Sequence, residues 1–187
     1  MTKAAGSVWQ GPRLRLRAFE AADWPAYAAW DRDDDDQARN LAAIPLPRSE
    51  EATRRWAEQE ASRVREGDNA RFVIEDERGE VVGDLTTHSC NPRVGTFSYG
   101  ISIRRDRRRQ GYAMEAIALV LRHYFGERRY QKVTVGIAAF NGASIRLHER
   151  LGFQLEGRLR RMWFTGGEFF DELLYGLTVE EFASRGG

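Results

Sequence analysis

Apolar positions recur along this chain at two spacings, and the change from alternation to a helical period marks out the elements. Within residues 11–19, Leu14 and Leu16 alternate with Arg13, Arg15 and Arg17, the period of a strand with one buried face. Asp23-Trp24-Pro25 opens a short helix, because aspartate is a good N-cap and proline is tolerated in a first turn. That helix carries Trp24, Tyr27 and Trp30, and the run Asp31–Asp36 after it is too charged for a core element. A second helix is predicted over residues 49–66, with Ser49 as cap, acids in the first turn and Gly67 beyond its end. Residues 72–75 and 81–87 flank a turn at Gly79 and read as a hairpin, with residues 95–103 as a third antiparallel strand. An apolar helical run follows Gly111, and residues 132–140 read as a buried strand. Asn141 then caps a helix that Gly152 stops, with Ile145, Leu147 and Leu151 supplying its apolar contacts. Finally, Gly166-Gly167 joins two runs of strand formers within residues 158–177. The predicted sum is a mixed sheet with helices packed on it, an α/β (α+β) fold.

Composition narrows the classes without choosing among them. A chain of 187 residues is long enough for one well-buried core, and no linker divides it. The 29 basic residues against 28 acidic ones leave a net charge of +1, which argues against a general nucleic-acid binder. Cys90 is the single cysteine, so neither an internal disulfide nor a cysteine-based metal cluster is expected. No apolar run reaches membrane-spanning length and no secretory core opens the chain, so the expected compartment is the cytoplasm.

Residues 104–115, RRDRRRQGYAME, change the picture. They stand between a strand and a helix, where the first helical amides lack partners and the helix dipole favours an anion. Gly111 lets a ligand approach the backbone, Ala113 keeps the next turn slim, and Arg108 and Arg109 offer charge-assisted contacts to phosphate oxygens. Neither GxGxxG nor GxxxxGKS/T is present. Arg108-x-x-Gly111-x-Ala113 instead resembles the acyl-CoA loop of the GNAT N-acetyltransferases, Gln/Arg-x-x-Gly-x-Gly/Ala. An ordinary helix start with a solvated arginine face would look similar. A second stretch, Asn141-Gly142-Ala143-Ser144 through His148-Glu149-Arg150-Leu151-Gly152-Phe153, resembles the family's Asn-x-x-Ser…Tyr-Glu-Lys-x-Gly-Phe at a family-like separation. The closing hairpin and the first strand resemble the RimJ/RimL-like branch, so the resemblance runs from about residue 11 to 183.

This resemblance implies one GNAT acyl-CoA N-acyltransferase domain over residues 1–187, with a mostly antiparallel mixed sheet of about seven strands. It implies acetyl-CoA as co-substrate and no metal. The cofactor would be held by Ile101 and Ile103 of the strand, by Arg108, Arg109, Gln110, Gly111, Tyr112, Ala113 and Met114, and by Asn141, Ser144 and Arg146. Ser144 and His148 are the candidates to protonate the departing thiolate. His148 stands where many members have tyrosine, and a helix-surface histidine is more often a bystander. The general base is open: the usual glutamate position is Ser98 here, Tyr99 lies next to it, and His88, Glu168, Asp171 or a water chain are alternatives. On the acceptor side the candidates are Trp24, Tyr27, Trp30, Ser98 and the aspartate run around Asp34, with core anchoring as the plainer role for the tryptophans. The expected acceptor is a protein or peptide α-amine, with a small cationic amine such as a polyamine or antibiotic as the alternative. A homodimer is compatible with the branch. Two other classes stand behind this reading: an acyl-CoA-binding module without chemistry, and a nucleic-acid binder using Arg104–Arg109.

Overall fold

The computed structural model describes residues 7–33 and 46–186. Its strands are β1 (Leu14–Arg17), β2 (Ala70–Asp76), β3 (Val81–Asn91), β4 (Thr96–Ile103), β5 (Lys132–Ala138), β6 (Gln154–Thr165) and β7 (Glu168–Thr178). Its helices are α1 (Trp24–Trp30), α2 (Glu50–Ala61), α3 (Tyr112–Gly126), α4 (Gly142–Leu151) and α5 (Val179–Ser184). The strands form one sheet in the order β1-β2-β3-β4-β5-β7-β6, antiparallel except for β4 beside β5. The predicted mixed sheet with flanking helices is therefore what the chain forms.

Residues directly opposite across a ladder share a face. Arg71, Thr86 and Gly100 form one such row, His88, Ser98 and Thr134 another, and Ala138 stands opposite Glu172. On this face α1 and α2 cover β1–β3 through Phe19, Tyr27, Ala57 and Val73, flanked by Trp24, Trp30 and Trp56. The opposite face carries the main core, where α3 buries Ile117, Val120, Leu121 and Tyr124 against Phe97, Val133 and Leu177. Near-continuous burial along α3 follows from its mostly apolar sequence.

Several element boundaries differ from the sequence pattern. The second helix ends at Ala61 rather than near residue 66, although Ser49 caps it by accepting the Ala52 N–H at 3.1 Å. Asp23 is not the side-chain cap of α1; it accepts the Glu20 N–H at 2.9 Å and closes the turn before the helix. The fifth strand stops at Ala138, and Phe140 turns to meet Phe170 with ring centroids 4.7 Å apart.

A buried ion-pair network fixes β1 on β2. Arg17 grips Asp23 with both nitrogens, at 2.9 and 2.7 Å, and also donates to Glu75, which Arg15 reaches at 2.6 Å. Burial pushes the Glu75 carboxyl up, but the bonds from Arg15 and Arg17 outweigh it and the net shift is downward. Without Glu75 the mostly buried Arg17 guanidinium keeps Asp23 but loses the partner of its Nε. Glu75→Ala is expected to cost about 3 kcal/mol, lowering the midpoint of thermal unfolding by roughly 6–12 °C in a domain of this size. Scanning calorimetry checks this, and a midpoint within a degree or two of the unsubstituted protein would refute it.

Candidate active site

The parallel pairing of β4 with β5 runs only from Thr96↔Lys132 to Ser98↔Thr134. Beyond it the strands diverge, with β4 still paired to β3 and β5 to β7. The Ser98 and Thr134 hydroxyls, 3.0 Å apart, close the base of this fork. The N–H of Arg104 bonds to Val82 of β3. Alternate residues of a strand address the same neighbour, so Ser102 and Gly100 also face β3. The main-chain groups of Tyr99 and Ile101 and the N–H of Ile103 are left turned toward the opening, while the Ile103 carbonyl is taken by Arg108.

At the other end of the site, Gly111 adopts φ +88°, in the left-handed region that favours glycine. A Cβ there would stand 2.6 Å from the Arg13 guanidinium. Arg13 donates to the Gln110 carbonyl and to Glu115, each at 2.9 Å, and so ties the start of the chain to this loop. It also offsets the one carboxylate in the first turn of α3, which would otherwise repel an anion. The first helical bond runs from Glu115 N–H to the Gly111 carbonyl at 3.1 Å; the N–H groups of Gly111–Met114 meet no carbonyl among the described residues.

The arginines of this loop divide by role. Arg104 pairs with Asp106 at 2.9 Å, Arg105 with Asp33 at 3.5 Å, and Arg107 with Glu80. Arg108, expected on phosphate, directs its Nε to the Ile103 carbonyl at 3.0 Å and so braces the loop against the strand end. Arg109 is exposed and has no ion-pair partner among the described residues.

Between these ends lies a cavity of about 160 Å³ within the fork, walled by Tyr99, Gly100 and Ile101 of β4, Val135–Ala138 of β5, Asn141, Ser144 and His148 of α4, and Trp163 of β6. Asn141 Oδ1 accepts the Ser144 N–H at 3.2 Å and caps α4 as its sequence predicts. His148 is 3% exposed, not a helix-surface residue, because the inner side of α4 turns it onto Tyr99, with ring centroids 5.8 Å apart. Its Nδ1 lies 2.8 Å from the Ser144 carbonyl, and a carbonyl only accepts. Nδ1 therefore carries the proton and Nε2 the lone pair. Burial pushes this imidazole below its ordinary value of 6.5, against a smaller opposing effect of the Ser144 backbone bond. Burial likewise raises the Tyr99 hydroxyl well above its ordinary value of 10.0, keeping it an O–H donor. His148 Nε2, Tyr99 Oη and Trp163 Nε1 are all buried without a hydrogen-bond partner among the described residues.

The expected acceptor residues lie elsewhere. Trp24, Tyr27 and Trp30 do not wall the cavity; they pack in the α1–α2 layer, where the Tyr27 hydroxyl stands 3.5 Å from Asp84. The structure thus gives the three the core-anchoring place that is the plainer of their two expected roles, since a helix needs its aromatic face to bury against the sheet. Asp34 lies outside the described residues, while Asp31 and Asp33 are paired to Arg48 and Arg105. Ser98 closes the fork rather than opening into it. Among the candidate bases, Asp171 is held by the Arg161 N–H at 2.9 Å and Arg158 at 2.5 Å, which lower its pKa. Glu168 is exposed beside the hairpin turn. His88 is exposed at the rim of a separate groove between the end of α2 and β2–β3. Of the cofactor candidates on exposed ground, Arg146 lies with a guanidinium nitrogen 3.2 Å from where a Gly142 Cβ would be, and Met114 is 38% exposed. Trp163 and Glu172 carry no local signal in the sequence, since only the register of β6 on β7 brings the first, and that of β7 on β5 the second, beside the fork.

The residues present fit an acyl-CoA: unpaired amides and a free guanidinium for phosphates, open strand edges for an extended amide-bearing arm, and a small polar chamber at its end. Comparison with known proteins agrees. A family described as acetyltransferase (GNAT) domain matches residues 13–154. The chain is 38% identical over 183 residues to the SPbeta prophage-derived uncharacterized N-acetyltransferase YokL of Bacillus subtilis, covering 98% of this chain and 99% of that one. It is 29% identical over 106 residues to an L-methionine sulfoximine/L-methionine sulfone acetyltransferase of Pseudomonas aeruginosa, covering 54% of this chain and 59% of that one. To a spermidine N(1)-acetyltransferase of Vibrio cholerae it is 28% identical over 106 residues, covering 56% and 61%. With the forked sheet, the amide-lined helix start and these relatives together, the chain belongs to the GNAT family and is an acetyl-CoA-dependent N-acetyltransferase.

Proposed function

We propose that this enzyme acetylates the primary amine of a small cationic metabolite by direct transfer in a ternary complex. The names of the two partial relatives, for a polyamine and for an amino-acid derivative, support a small acceptor over the protein α-amine expected from the branch resemblance. Within the family we assign the chain to the RimJ/RimL-like branch on its closing hairpin, as a single domain over about residues 11–183. No described helix is long and apolar enough to cross a membrane, and we assign the enzyme to the cytoplasm.

The observation that carries the mechanism is the buried Nε2 of His148 in the fork, which has no hydrogen-bond partner among the described residues. Acetyl-CoA supplies an activated thioester. Arg109, Gln110 and the amides of Gly111, Tyr112, Ala113 and Met114 hold its phosphates, with Arg146 at the outer side of α4. Asn141 and the open edge at Ile101 and Ile103 hold the pantetheine arm and orient the carbonyl. His148 Nε2 accepts the proton of the attacking amine, the reverse of the acid role expected for that position. Because His148 Nδ1 donates toward Ser144, the serine hydroxyl keeps its own proton and lies 3.3 Å from that nitrogen. Ser144 is thus the donor toward sulfur. The imidazolium formed when Nε2 takes the amine proton returns one from Nδ1 to the serine oxygen, so the thiol leaves protonated and both side chains end neutral. Tyr99 adds a second O–H within the chamber.

Coenzyme A release is to be measured with spermidine, methionine sulfone, an aminoglycoside and basic peptides. The best small cationic amine is expected to exceed every peptide by at least about tenfold in kcat/KM. A peptide preferred over all small amines overturns the acceptor reading.

A further inference from the structure

We propose that Glu172, with Trp163 beside it, anchors a second ammonium group of the acceptor and so selects diamines and polyamines over monoamines. This rests on the small-cationic-amine reading above.

Glu172 stands opposite Ala138 and its carboxylate folds back onto Gly136, where a Cβ would lie 2.3 Å from Oε1. Gly136 and Ala138 both wall the fork cavity, so this carboxylate lies directly behind a part of the wall that carries no side chain larger than a methyl group. By contrast, Asp84 is matched by Arg71, Asp171 by Arg158, Glu156 by Lys132 and Asp33 by Arg105. Glu172 is half-buried and has no ion-pair partner among the described residues. A carboxylate held partly out of water without a cation is a site that an ammonium stabilises.

Trp163 arrives there through a bulge. Leu159 pairs with Glu172 and Trp163 with Phe170, so residues 160–162 face Asp171 alone, with Arg161 at φ +57°. The bulge aims the indole at the cavity, where its Nε1 is buried without a partner among the described residues. Trp163 and Phe170 are opposite one another, and Phe170 shares the face of Glu172 two residues on, so indole and carboxylate flank the fork from the same side. That is the side of α1 and α2, opposite α3 and α4. An aromatic wall next to an unmatched carboxylate is the pairing that holds an alkylammonium. The reacting amine enters the uncharged chamber toward His148 while a distal ammonium stays at the rim.

The test compares kcat/KM of the full chain and its Glu172→Gln variant on spermidine and on n-butylamine, with calorimetric binding of both amines and the KM for acetyl-CoA. The expected result is a loss of at least about tenfold for spermidine, less than about twofold for n-butylamine, and an unchanged acetyl-CoA KM. Glu172→Asp is expected to recover part of the spermidine rate. An equal loss on both amines, or none on either, overturns the role of Glu172 and leaves the small-amine reading standing. If the unsubstituted enzyme neither binds nor acetylates either amine, the small-amine reading falls and this inference with it.

Discussion

Gly111→Val is expected to raise the KM for acetyl-CoA about a hundredfold, equivalent to about 2.7 kcal/mol of binding. Two causes act together. At φ +88° a β-branched residue is strained by about 1–3 kcal/mol. Its Cβ would also stand 2.6 Å from the Arg13 guanidinium, whose bond to the Gln110 carbonyl helps shape the loop. The strain favours a loop in which the first amides of α3 no longer converge, and those amides are the phosphate donors. Arg109→Gln is the milder comparison: it removes one exposed charge and is expected to raise the KM about three- to fivefold, more at low salt than at high. Steady-state titration of acetyl-CoA with saturating acceptor, alongside circular dichroism, separates these effects from unfolding. An unchanged KM in Gly111→Val would show that the phosphates are held elsewhere.

Much of this loop was legible in the sequence because its chemistry is local. A glycine after a basic turn and before an apolar run states both the backbone conformation and the open helix start. Asn141 and Gly152 were legible for the same reason, as cap and stop of one helix. Less legible are the residues whose placement depends on partners far along the chain. Arg108 reads as a phosphate ligand until the Ile103 carbonyl is found within 3.0 Å of its Nε. Trp24, Tyr27 and Trp30 read equally well as an aromatic acceptor wall or as core, and only the packing of α1 on β2 and α2 decides for core. Asp171 and Glu172 are adjacent and alternate between faces, so the sequence offers either. The β5–β7 register sets Glu172 beside Gly136 and Ala138 of the fork wall, while Asp171 serves Arg158 and the Arg161 N–H across the β6 bulge. The fork itself depends on where a parallel pairing stops, at Ser98 and Thr134, and no local pattern announces that.

His148→Gln is expected to lower kcat about a hundredfold, the lower range for loss of a positioned proton acceptor. Glutamine keeps a polar end of similar reach but cannot take a proton at any working pH. The pH profile distinguishes this from a packing effect. Burial lowers the His148 pKa below 6.5, so the neutral, accepting form predominates at and above neutrality. Wild-type kcat is therefore expected to rise with pH through an ionisation below 6.5 and to level off before neutrality, and the rising limb is expected to vanish in His148→Gln. The same ionisation acts on stability. Between the depressed folded pKa and the ordinary unfolded value of about 6.5, the unfolded chain binds a proton that the native chain refuses, so stability falls as pH drops through that window. His123, also lowered chiefly by burial, adds to the fall in the same direction. The variant should consequently show a shallower acid loss of its thermal midpoint than the wild type, with the His123 share retained. A full wild-type kcat in His148→Gln, or an acid limb that persists unchanged in it, would move the proton acceptor to water and leave Ser144 as the working side chain of α4.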